Sequence, residues 1–142
     1  MKRVVVCFLL LFLTGCSTKE VSNEITTIKC HMNTNEESRD IRTYMVGNFI
    51  DNVLDNYYIE STIEGDNKVL QEDEEFYSWF YGDMSKLEGI DYKDSLDENI
   101  YTYKVTFNIH DIKDKSFNKE EIPSDIEGFK DYSKRLGYIC ND

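Results

Sequence analysis

The sequence predicts an α+β domain, an antiparallel sheet of about four strands with two helices packed on one face, in the order β-β-β-α-β-α. Three observations predict it. Residues 100–109 (IYTYKVTFNI) put Tyr101, Tyr103, Val105, Phe107 and Ile109 on one side and Thr102, Lys104, Thr106 and Asn108 on the other. Such alternation marks a half-buried antiparallel strand and not a parallel one covered on both faces. After Gly65-Asp66-Asn67 the period changes from two to that of a helix. A second apolar stripe, Ile126, Phe129, Tyr132 and Leu136, closes the chain at helical spacing.

The elements follow in order. Residues 25–32 alternate weakly, with Thr26, Ile28, Cys30 and Met32 on one face, and read as a first strand. Residues 33–40 are polar and read as a loop. Residues 41–50 (IRTYMVGNFI) mix β-branched and aromatic side chains and read as a second strand. DNVLDN at 51–56 supplies turn residues, and 57–64 alternate again as a third strand. Residues 68–88 read as a helix whose buried stripe is Val69, Phe76, Phe80, Met84 and Leu87, with Trp79 beside it and Glu72 to Glu75 in its opening turns. Gly82 inside it weakens the helix by about 1 kcal/mol relative to Ala. The polar stretch 91–98 reads as a loop, 100–109 as the fourth strand, and 111–122 as a charged connector. Ser124 and Glu127 have capping-box spacing for the final helix, and Gly137 suits its left-handed end.

The first sixteen residues have a different character. Lys2 and Arg3 precede the apolar run VVVCFLLLF, and Leu13-Thr14-Gly15-Cys16 closes it. A bilayer-spanning helix needs about 20 apolar residues, about twice this run, so a secretory leader fits better than a transmembrane anchor. LTGC resembles the lipobox of bacterial lipoproteins. The resemblance implies a diacylglycerol thioether on Cys16 and cleavage before it, giving a leader over 1–15, a lipidated tether over 16–23 and a single domain over 24–142. It also implies residence on the extracytoplasmic face of the cell membrane, held through the lipid. Two acyl chains give stable anchoring where one gives only marginal binding.

Removal of residues 1–15 takes away two cations and no acid, so the formal charge of -12 becomes -14. An acidic surface repels phosphate backbones, which argues against nucleic acid as a partner, and it gains nothing from an anionic bilayer. Solubility is the ordinary reading of this charge; attraction to a cationic ligand or basic partner is the other. Alanine is absent while Asn, Lys, Ile and Tyr abound, a composition that AT-rich codons favour.

Cys7 would leave with the leader and Cys16 would carry lipid. Cys30 and Cys140 remain, 110 positions apart. In an oxidising space outside the membrane such a pair forms a disulfide, against the alternative of two free thiols. The lipobox, the strand bearing Cys30, the aromatic helix, the strand IYTYKVTFNI and the closing GYIC together resemble the small lipoproteins of the YehR-like family. That resemblance implies an α+β fold and carries over no catalytic residue.

The chain lacks the usual signatures of chemistry. No Gly-x-Ser-x-Gly and no phosphate-binding glycine loop occurs. His31 and His110 are the only histidines, too few for a spaced zinc set, and adjacent Cys30 and His31 would point to opposite faces of a strand. The oxygen-rich stretches 51–56 and 91–97 lack the EF-hand pattern but offer weak calcium sites. Of the 10 Tyr, 8 Phe and 1 Trp, Tyr58, Tyr77 and Tyr81 are the aromatics left off the expected core, and an exposed tyrosine patch could take peptide or glycan. The expectation is a non-catalytic binding or interaction module with no cofactor, held at the membrane by lipid and meeting a protein partner. A small-ligand or calcium receptor using acidic loops is the alternative.

Overall fold

The computed structural model describes residues 23–118 and 121–141. The expected leader, Cys16 and most of the tether lie outside the described residues. Six strands and two helices follow one another: β1 (Ile25–Glu36), β2 (Arg39–Ile50), β3 (Val53–Gly65), α1 (Asn67–Met84), β4 (Ile90–Asp97), β5 (Ile100–Asn108), α2 (Ile126–Arg135) and β6 (Ile139–Cys140). They build one sheet in the order β4-β5-β3-β2-β1-β6. Every neighbouring pair is antiparallel, so the fold is α+β.

The sheet has six strands, not about four. The stretch 91–98, expected as a loop, is mostly strand β4, with Tyr92 opposite Val105 and Leu96 opposite Tyr101. Its charges hid it. As the edge strand it needs only one apolar face, formed by Ile90, Tyr92 and Leu96, and the charges of Asp91, Lys93 and Asp97 protect a free edge from pairing with another chain. The polar stretch 33–40 is also largely strand: β1 and β2 stay paired from Ile25↔Ile50 out to Glu36↔Arg39. The β2–β3 turn is tighter than 51–56. It is made by Asp51 and Asn52 alone, both at positive φ (50° and 66°), a two-residue turn whose twist matches the strands it joins.

Register decides which side chains meet. Ile28, Gly47, Tyr57 and Phe107 form one row across four strands, and Cys30, Met45, Ile59, Val105 and Tyr92 the next. Phe129 of α2 packs with Cys30, Met45 and Phe49, and Leu70 of α1 packs with Ile63, Tyr101 and Tyr103. Gly47 makes the approach of α2 possible: a Cβ there would stand 3.0 Å from Phe129 Cζ and 2.9 Å from Phe49 Cε2. Three buried hydroxyls are paired, Thr43 Oγ1 with Ser61 Oγ at 3.0 Å and Ser133 Oγ with Met45 Sδ at 3.3 Å. The opposite register set is largely polar, with Lys29 over the Tyr44 ring at 4.0 Å and Lys104 over the Tyr58 ring at 3.8 Å, while Val46, in register with Lys29 and Tyr58, is buried beneath them.

The cap of α2 differs from the expected box. Asp125, not Ser124, is its N-cap, and the Asp125 carboxylate accepts from the Gly128 N–H at 2.8 Å. Ser124 instead gives its backbone carbonyl to Leu54 N–H at 2.9 Å, which fixes the helix start against β3. The far end is as read: Gly137 has φ +92°, Gly137 N–H donates to Lys134 O and Tyr138 N–H to Ser133 O. That paired pattern satisfies the terminal carbonyls and turns the chain back toward the sheet. There Cys140 lies opposite Cys30 in register, and the two are disulfide-bonded.

Candidate functional site

Helix α1 carries the surface least explained by folding. Its sheet-facing side is Leu70, Asp73, Tyr77, Tyr81 and Met84, spaced by three or four residues. Tyr77 stacks on Tyr103 with ring centroids 4.4 Å apart, and Tyr81 stacks on Tyr92 at 5.9 Å. This corrects the expected stripe. Phe76 and Phe80 do not face the sheet; Tyr77 and Tyr81, expected off the core, do. The sheet beneath α1 is itself tyrosine-rich, and rings with polar rims suit it because the phenolic hydroxyls find partners there. Tyr92 Oη lies 2.8 Å from Tyr101 Oη and donates to Asp94 Oδ2 at 2.9 Å. Ser78 of α1 donates to the same Asp94 oxygen at 2.7 Å, tying the helix to β4.

At its start α1 is held by an ion pair. Arg39 at the β1–β2 turn joins the buried Asp73 and also Glu36 at 2.8 Å. These carboxylates hold the guanidinium well above its ordinary pKa. Asp73 Oδ2 has no hydrogen-bond partner among the described residues, so Arg39 alone compensates this carboxylate.

With its lower side fixed, α1 presents Phe76, Trp79 and Phe80 outward, 54%, 65% and 44% exposed. Phe76 stacks with Phe80 at 6.2 Å, and Trp79 lies 6.3 Å from Phe76. The same face carries the exposed acids Glu72, Glu75 and Asp83. Three adjoining rings in water are the kind of surface that marks an interaction site. The sequence held one signal for this face. Glu72, Glu75 and Asp83 fall on the same side of a helical projection as Phe76 and Trp79, but Asp73 and Glu74 fall on the other, so this signal does not by itself choose the wet side.

The other candidates lie apart. Tyr58 is on the sheet's polar side beneath Lys104. Exposed His110 has Nε2 3.6 Å from Asp55 Oδ1, and His31 pairs in register with Tyr44 on the polar side. Cys30 and Cys140 are tied to each other and offer no thiolate. Among the described residues no three His, Cys, Asp or Glu side chains are grouped to hold a metal. Of the expected calcium stretches, 51–56 is a turn running into β3, and 91–97 lies in β4. An open depression of about 720 Å³ at the β1–β2 turn is bordered by Glu36, Arg39 and Glu64, where Arg39 pairs with Glu36 and Arg42 with Glu64.

No protein-family model matches the chain, and no curated protein does. The chain shares its fold with a protein from Streptococcus pneumoniae TIGR4. The two superpose with a TM-score of 0.54 over 99% of this chain and 97% of the other, at 11% identity. Likeness at that identity concerns the fold and brings no functional residue with it. Among the described residues no helix is long and apolar enough to cross a membrane.

The tyrosine layer has a measurable signature. Burial pushes the Tyr81 and Tyr138 hydroxyls up to about 12 and raises Tyr57, Tyr101 and Tyr103 as well. The folded state therefore keeps these protons above pH 10, where the unfolded chain releases them. The stability they contribute is intact below pH 10 and is lost as the pH rises toward about 12. Phenolate absorbance from this buried set should appear only above pH 10, with cooperative alkaline unfolding. A single smooth titration of all tyrosines near pH 10 would contradict this packing.

Proposed function

We propose that this protein is a lipid-anchored bacterial lipoprotein on the extracytoplasmic face of the cell membrane, similar to the YehR-like family. In this reading it acts as a non-catalytic binding or interaction module. The exposed ring trio Phe76, Trp79 and Phe80 carries the functional half of this reading: a rigidly seated helix displays an apolar face that the fold does not use. LTGC at 13–16 supports the anchor, and the Cys30–Cys140 bridge suits an oxidising compartment. Both helices sit on one side of the sheet in this reading, so α1 remains free to meet a partner beside the membrane.

The anchor is tested at Cys16. Expressed in a Gram-positive host fed an alkyne fatty acid, the wild-type chain should take up label and stay with the membrane. Cys16→Ser should lose the label and either appear in the medium or persist as an uncleaved precursor. Equal labelling and retention of both forms would refute the anchor.

A further inference from the structure

We infer that the outer face of α1 docks a basic amphipathic partner: a protein surface with an apolar strip edged by Lys and Arg, of which a cationic amphipathic helix is the simplest form. This deepens the binding reading above and rests on it. Phe76, Trp79 and Phe80 stand at i, i+3 and i+4, the spacing with which a helix offers anchors to a groove or a second helix. Aromatic anchors supply large contact area with little side-chain entropy to lose.

Charge selects among the occupants. Exposed Glu72, Glu75 and Asp83 outnumber the exposed Lys68 and Lys86 around the rings, and with Lys86 paired to Asp83, Glu72 and Glu75 have no ion-pair partner among the described residues. A second copy of this chain would bring the same acids face to face, which costs free energy. An anionic bilayer surface would be repelled by them for the same reason. A cationic rim instead places opposite charges around a dry aromatic centre, the arrangement that steers encounter and fixes orientation. The tyrosine contacts beneath keep the face preorganised, so little ordering cost falls on binding.

Trp79 is the chain's single tryptophan and one of the three adjoining rings of the face, so its emission reports occupancy directly. The lipid-anchored protein, carried on phosphatidylcholine vesicles, is titrated with a tryptophan-free helical peptide of leucine and lysine in amphipathic order. The expected result is a saturable blue shift of Trp79 emission that weakens with added salt. Glu72→Lys with Glu75→Lys should weaken binding about tenfold or more, and Phe76→Ser with Phe80→Ser should abolish it. A glutamate-for-lysine version of the peptide should give no shift. All four substituted side chains are exposed, and circular dichroism of the variants checks that they fold. Three results would overturn the inference: a blue shift on phosphatidylglycerol vesicles without peptide, a shift that grows with protein density alone, or peptide binding unchanged in both double variants. Failure of the anchor reads out separately, because the protein then does not partition onto vesicles, while the same titration proceeds in solution.

Discussion

Replacing Cys30 and Cys140 by serine is expected to lower the melting point by roughly 15–20 °C, and reduction of the wild-type chain should do the same. The bridge spans 110 residues, nearly the whole described chain. Closing a loop of that length removes about 4.7 kcal/mol of chain entropy from the unfolded state. Domains of this size are stable by only about 5–15 kcal/mol, so the bridge contributes a large share. Geometry adds a local reason. β6 has two residues and two register partners, Cys30↔Cys140 and His31↔Ile139, too few to hold a strand unaided. Thermal unfolding followed by circular dichroism, with and without reductant, checks this. A double-serine variant that melts within about 3 °C of wild type would show that the staple does little.

Phe129→Ala is expected to cost about 3–5 kcal/mol, the range for emptying a large buried aromatic site. Phe129 is 1% exposed and is the chief buried apolar contact between α2 and the sheet. Its ring meets Phe49 edge-on at 5.7 Å and Tyr57 at 6.4 Å, directly over Gly47. The void cannot close easily, since Asp125 caps one end of α2 and Gly137 with the disulfide fixes the other. Gly47→Ala should itself destabilise, because the new Cβ would crowd both Phe129 and Phe49. The same change should cost less in the Phe129→Ala background, a coupling of about 1 kcal/mol. Urea denaturation with unchanged m-values would measure both effects, and strict additivity of the two substitutions would deny the contact.

Much of the fold was legible before any coordinates. IYTYKVTFNI is β5 with the face assignment its alternation gave, apart from Ile109, which falls just past the strand end. Cys30 lies inward and reaches Cys140, and Gly137 turns the chain at the end of α2. These readings rested on local rules: a period of two, a left-handed end that favours glycine, and two sulfurs with one possible pairing. β4 escaped because charge on an edge strand is permitted, and composition alone then resembles a loop. The capping residue of α2 was one position off because Ser124 and Asp125 both suit the role, and the backbone bond from Leu54 to Ser124 decides between them.

The sequence by itself determined an alternating antiparallel sheet, two helices, a pair of cysteines destined for each other and an acidic exterior. Each of these follows from interactions a few residues apart or from simple counting. Tertiary structure alone decided which side of α1 is core. Aromatic side chains lie on both sides of that helix, so its own period does not choose between them. The choice falls to the surface it lands on, where Tyr92, Tyr101, Tyr103 and Asp94 provide ring faces and hydroxyl partners that suit Tyr77, Tyr81 and Ser78. Phe76, Trp79 and Phe80, the more apolar set, are thereby turned to the water.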